Sequence, residues 1–171
     1  SPIVFDWAGI RQYVQLTMES LVGIRASDGK LLWKSDWPGR TAVIPTPVYR
    51  DGHVYITSGY GIGSKLVRLG QDHSVSDVYF NKVMKNQHGG VILIGDHLYG
   101  YSDNRGWTCQ NFKTGEAVWS EEEKLGKGSI AYADGRFYLL SQDEGTVVLI
   151  EASAEGWKEH GRFTLPYDSE I

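Results

Sequence analysis

Cysteine is all but missing from this 171-residue chain: Cys109 stands alone, so no intramolecular disulfide and no cysteine-based metal site can be built from it. Its neighbours Thr108 and Gln110 alternate with it in a strand-like run, which makes it a small buried hydrophobe. Proline is scarce as well, at 5 residues. An excess of basic charge is absent: the net charge is −4 with both signs interspersed, which offers no footprint for a nucleic-acid backbone. No apolar run approaches the roughly 18 to 20 residues that span a bilayer. Long segments with a 3.6-residue period are missing too, so helix content is expected to be close to nil.

What the chain has is glycine, aromatic residues and repetition. Its 21 glycines, 12% aromatic and 41% hydrophobic content fit an all-β protein with many tight turns. The run LVGIRASDGKLLW, ending at Trp33, is matched by WTCQNFKTGEAVW, ending at Trp119. Gly29 and Trp33 thus recur as Gly115 and Trp119, each 86 positions on (115 − 29 and 119 − 33), and half of that interval leaves room for one unit between them. A second ladder supplies it: DGHVYITSG from Asp51, GDHLYGYSD from Gly95 and DGRFYLLSQ from Asp134. Small or proline residues open each unit, at Pro2, Pro47, Gly89-Gly90 and Gly128-Ser129. A period of roughly 40 to 45 residues with four strands per unit is the signature of a propeller blade.

Period-two runs place the strands. The first unit reads Pro2–Asp6, Arg11–Met18, Leu21–Ala26 and Leu31–Ser35; the second Thr46–Arg50, His53–Ser58, Lys65–Leu69 and Val75–Phe80. The third reads Gly90–Ile94, His97–Ser102, Trp107–Phe112 and Glu116–Ser120; the fourth Ser129–Ala133, Arg136–Ser141, Thr146–Glu151 and a last strand near Gly161–Leu165. The expected blades are approximately residues 1–40, 41–84, 85–125 and 126–171 of a single domain. A large flat side chain on an outer strand can fill the wedge where twisted sheets splay apart. Trp33 and Trp119 are expected there, with Tyr79 and Phe163 in the same place by count.

The hairpin after an alternating strand, with D/T-G followed by a tryptophan four residues past the glycine, resembles the tryptophan-docking repeat of the PQQ-like propeller family, the quinoprotein alcohol dehydrogenases and their relatives. RQYVQLT, IPTPVYRDGHVYITSGYG, HGGVILIGDHLYGYSDNRGW, FKTGEAVW and GKGSIAYADGRFYLLS are similar to the C-terminal stretch of secreted bacterial members. The resemblance implies an all-β fold: four four-stranded antiparallel blades, half of an eight-bladed ring. It also implies a secreted or periplasmic location. In the active quinoproteins pyrroloquinoline quinone lies on a tryptophan floor beneath a disulfide of adjacent cysteines, with a calcium or lanthanide ion and an aspartate base. This sequence has no adjacent cysteine pair and no motif that places the base or the metal ligands, so no cofactor and no metal are expected. The expected role is a non-catalytic ligand- or protein-binding scaffold. PQQ with calcium enters only under the alternative, part of an alcohol or sugar dehydrogenase. A purely structural interaction propeller, like the outer-membrane assembly lipoprotein, is the third class.

Four blades leave two sheet faces open, a larger apolar patch than a soluble monomer carries. The remaining blades of a longer chain, or a second copy closing the ring, are the expected cover; self-closure of four units is the third solution. The chain reads directly into a strand, which favours a fragment of a longer protein.

Candidate contact residues sit on loops. Ser58 to Ser64 is glycine-rich, but a strand follows where a phosphate cradle needs a helix, so Tyr60 is read on a blade-surface loop with positive φ. His88 precedes the innermost strand of the third unit, where a side chain can face the central channel. Asp103, Asn104, Arg105 and Trp107 combine an acid, an amide, a cation and an indole at one blade edge, and a protein or a glycan is the expected partner for such loops. The histidines lie on different units without ligand spacing, and Glu121 to Lys124 is a solvated connector.

Overall fold

The computed structural model of the chain describes residues 1–166. Among them every regular element is a strand, and sixteen strands form four antiparallel sheets of four, each in simple chain order. The first sheet holds β1 (Ile3–Trp7), β2 (Ile10–Leu16), β3 (Ser20–Arg25) and β4 (Leu31–Asp36); the second β5 (Val48–Arg50), β6 (His53–Ser58), β7 (Gly63–Leu69) and β8 (Val75–Asn81). The third holds β9 (Val91–Ile94), β10 (His97–Ser102), β11 (Gly106–Asn111) and β12 (Ala117–Glu121); the fourth β13 (Gly128–Ala133), β14 (Arg136–Ser141), β15 (Thr146–Glu151) and β16 (Glu159–Thr164). Strand number, order and pairing agree with the sequence reading. β5 is shorter than expected at its start, and β16 begins before Gly161. Residues 167–171 of the fourth unit lie outside the described residues.

Local chemistry explains the hairpins. Ala8-Gly9, Asp51-Gly52 and Asp134-Gly135 each combine two positive φ angles, the type I′ geometry whose twist matches that of the strands it joins. They close the β1–β2, β5–β6 and β13–β14 hairpins. The β3–β4 and β11–β12 hairpins are held by the side chains of Asp28 and Asn111, which accept hydrogen bonds from backbone amides two or three residues on.

Three apolar seams join the four sheets. Along β6, Val54 and Ile56 pack with Val14, Leu16, Leu21 and Trp33 of the first sheet. Tyr55 points the other way, into a seam with Leu98 and Phe112 of the third. Phe137, Leu139, Val148 and Ile150 of the fourth sheet pack against Tyr99, Trp107 and Cys109 of the third. Alternation along each strand thus buries both faces of the inner sheets. Each fully buried large aliphatic contributes about 1.5–3 kcal/mol.

An aromatic donor crosses every seam to a carbonyl just past the third strand of the next sheet. Trp7 Nε1 donates to Gly70 O at 3.0 Å, Tyr79 Oη to Phe112 O at 3.0 Å and Trp119 Nε1 to Ser153 O at 3.1 Å. Trp33 is different: its N–H goes to Gln12 Oε1 in its own sheet at 2.7 Å. Its ring lies flat on Gly23, where an added Cβ would stand 2.2 Å from a ring carbon, so only glycine fits beneath it.

Trp33, Tyr79 and Trp119 share one place in the ladder, opposite Gly23, Leu66 and Cys109 at the bulge of each sheet. In the fourth sheet the residue opposite Leu149 at the bulge is Gly161, and Phe163 pairs with Val147 two positions further on. Glycine thus holds the place that an aromatic holds in the other three sheets, and Phe163 is 59% exposed. Removing the Tyr79 hydroxyl with Tyr79→Phe is expected to cost about 1 kcal/mol, read as a lower denaturant midpoint with an unchanged slope.

The outward faces of the first and last sheets remain apolar. Val4, Tyr13, Ile24 and Leu31 form one cross-strand row on the first; Leu140, Val147 and Phe163 form one on the fourth, beside Tyr138. Most of these side chains are exposed.

Candidate functional site

The loops between second and third strands share one end of the sheets with the connections between sheets. The β6–β7 loop, the β10–β11 loop and the connections entering β9 and β13 meet there around a polar cleft of about 430 Å³. Three expected residues line it, Tyr60, Asp103 and Asn104. Tyr60 and Asn104 both hold a left-handed backbone, at φ 56° and 59°, which costs a non-glycine residue of order 1 kcal/mol. The Tyr60 ring is 45% exposed.

Gln87 organises the cleft. Its amide donates to Asp103 Oδ2 at 2.9 Å and its carbonyl accepts from Lys127 Nζ at 2.7 Å. The second and third sheets approach closely here because position 59 is glycine: a Cβ there would meet Gln87 Cγ at 2.3 Å and Asp103 Oδ2 at 3.0 Å. Among the described residues Lys127 has no carboxylate partner. Tyr101 adds a second phenol to the lining. Burial, and then the charges of Asp103, Glu122 and Asp143, push that phenol above its ordinary pKa. It therefore keeps its proton at neutral pH and acts as a donor.

The other expected residues lie elsewhere. His88 is exposed on the connection beside Gln87, and Arg105 is half-buried in the turn that its amide closes on Ser102 O. Trp107 stands beneath the loop rather than on it: it is 2% exposed, edge-on to Tyr101, and its N–H is taken by Gly126 O at 3.2 Å. Gln87, Tyr101 and Lys127 escaped the sequence reading. A signal was present for two of them, since Gln87 and Lys127 stand shortly before the small residues that open the third and fourth repeats.

A second cleft, of about 350 Å³, opens at the opposite end between the second and third sheets, over Leu66, Val78 and Phe112. Its polar groups are already engaged. Arg50 pairs with Asp96 and Asp51 and donates to Gly95 O, Lys113 also reaches Asp96, and His53 Nδ1 meets Asp51 O.

A quinone site of the kind implied by the resemblance does not fit these residues. Cys109 is buried opposite Trp119, its thiol pushed up to about 11 by burial, so it supplies neither a vicinal disulfide nor a ready thiolate. Among the described residues no three of His, Cys, Asp and Glu converge as metal ligands. No helix among them is long and apolar enough to cross a membrane.

Residues 3–121 match the sequence profile of the family described as outer membrane protein assembly factor BamB. No curated protein matches the chain significantly in sequence. Among solved structures, BamB from Moraxella catarrhalis superposes with a TM-score of 0.68 at 16% identity, over 95% of this chain and 48% of that one. The chain thus spans about half the length of that BamB. The computationally designed Ika4 protein superposes at 0.62 and 13% identity, over 87% of this chain and 88% of its own. A quinohemoprotein alcohol dehydrogenase, ADHIIG from Pseudomonas putida HK5, superposes at 0.58 and 16% identity, over 95% of this chain and 33% of its own. The four sheets and the profile match agree, and the chain belongs to the BamB family of PQQ-like propeller proteins.

Proposed function

We propose that the chain is the four-bladed half of an eight-bladed propeller that works as a non-catalytic binding scaffold in a secreted or periplasmic bacterial protein. The observation that carries the reading is the loop-end cleft, where three successive blades converge and leave a charged and an aromatic side chain facing solvent. Such a surface holds a ligand or partner without reacting with it, since the cleft contains no nucleophile beside a base. Membership of a family described as an outer membrane assembly factor supports the compartment and the scaffold role. The blades are read as residues 1–40, 41–84, 85–125 and 126–171.

Further blades of the same polypeptide cover the two open faces. Light scattering on the intact protein, beside its denatured mass, tests this closure. A denatured chain of about twice 19.1 kDa that is monomeric when native is expected. A chain of that unit mass whose native mass doubles assigns closure to a second copy, and a native mass of one unit would sink both forms of closure.

Under the catalytic alternative, part of a PQQ-dependent alcohol or sugar dehydrogenase, supported by the fold shared with ADHIIG, added quinone and calcium would produce a visible absorption band and raise the melting temperature of the intact protein. The scaffold reading expects neither.

A further inference from the structure

We infer that the loop-end cleft is a binding site for a neutral saccharide, an inference that rests on the scaffold reading and names its ligand class. Lys127 places a cation at one side of the cleft, and Asp103 places an anion at the other, with the Gln87 amide between them. Glu122 and Asp143 lie close enough to act on the neighbouring Tyr101. A ligand of either net charge therefore meets repulsion somewhere along this lining. A neutral polyol meets none, because each hydroxyl both donates and accepts. Neighbouring hydroxyls can accept from Lys127, whose ammonium has one protein acceptor at 2.7 Å among the described residues. They can donate to the Asp103 carboxylate, which receives one hydrogen bond there from Gln87. The C–H face of a pyranose supplies the apolar surface that an exposed phenol ring accepts, and Tyr60 presents such a ring at the rim. The volume of about 430 Å³ suits two or three sugar rings rather than a folded domain.

The test is calorimetric titration of the intact protein with maltohexaose, cellohexaose and chitohexaose. Binding of at least one is expected. Tyr60→Ala and Asp103→Ala are each expected to weaken it about tenfold, and Tyr60→Phe should retain it. Melting curves of the variants should overlay the parent, because Tyr60 is exposed and the Asp103 side chain bonds only to Gln87 within the cleft. Absence of heat from all three sugars at millimolar concentration, or binding that persists in both alanine variants, overturns the inference. A protein that ignores the sugars yet captures a protein partner leaves the scaffold reading standing and removes this one.

Discussion

Alanine in place of Trp33 is expected to cost about 3–5 kcal/mol, the largest single-residue effect on stability among the docking aromatics. Trp33 is 4% exposed and lies on Gly23 in the seam between the first two sheets. Truncation empties that space, and no side chain at position 23 can collapse into it. It also strips Gln12 of its bond to Trp33, and Gln12 is fully buried with its other amide atom already unpartnered. An orphaned buried amide adds to the cavity cost. Thermal melts should shift down by on the order of 10 °C. Trp119→Ala should also lower the melt sharply but by less than Trp33→Ala, because its ring is half-buried and its lost bond, to the Ser153 carbonyl, is only partly buried. Equal shifts would show that burial does not rank the two sites, and an unchanged melt for Trp119→Ala would remove its docking role.

Gln110→Leu is expected to cost about 2–4 kcal/mol despite keeping side-chain volume. Gln110 is fully buried in the seam between the second and third sheets, accepts from Tyr55 Oη at 2.8 Å and donates to Gly115 O at 2.8 Å. Asn81 and Ser64 complete the same network. Leucine leaves the Tyr55 hydroxyl without its acceptor in a dry seam, and each orphan costs about 1–3 kcal/mol. The network has its own diagnostic, since Tyr55→Phe costs about 1 kcal/mol in the parent but should be near neutral or stabilising in the Gln110→Leu background. Additive losses in that double-mutant cycle would show that the two side chains do not act as a pair. Burial also holds the Tyr55 phenol well above its ordinary pKa. The unfolded chain therefore releases that proton first, near pH 10, and stability should fall as pH rises beyond that point.

The strands were legible because each is bounded by residues whose backbone geometry allows little else: Asp51-Gly52 and Asp134-Gly135 mark their hairpins unambiguously. Trp33, Tyr79 and Trp119, picked out by count, share one ladder position opposite the bulge of their sheets. The place opposite the bulge in the fourth sheet is Gly161, 42 positions past Trp119 (161 − 119), where no aromatic stands; Phe163 is the nearest aromatic in the strand, two positions on. Trp7 was missed for a different reason. It crosses its seam from the innermost strand, a place that Arg50 and Ala133 fill in other sheets, so the repeat gives it no aromatic counterpart there. At the cleft, Tyr60, Asp103 and Asn104 could be found as turn residues of unusual composition. Their meeting with Lys127, far along the chain, follows from sheets standing side by side, which no local pattern encodes.

The three aromatic donor-to-carbonyl bonds across the seams run one way, from each sheet to the one after it, and that gives the assembly a polarity. Pairing two copies of the last sheet's outward face would give the exposed Tyr138 phenol, the counterpart of Tyr55, another phenol where the inner seam supplies the Gln110 amide. A contact that repeats the seams of this chain joins head to tail, a heterologous contact with no two-fold axis through it. Such a contact repeated at a constant angle completes a circle when the angle divides a full turn, and winds into an open filament when it does not. The twist between neighbouring sheets thus decides whether exposed ends of this kind give a discrete particle or a fibre.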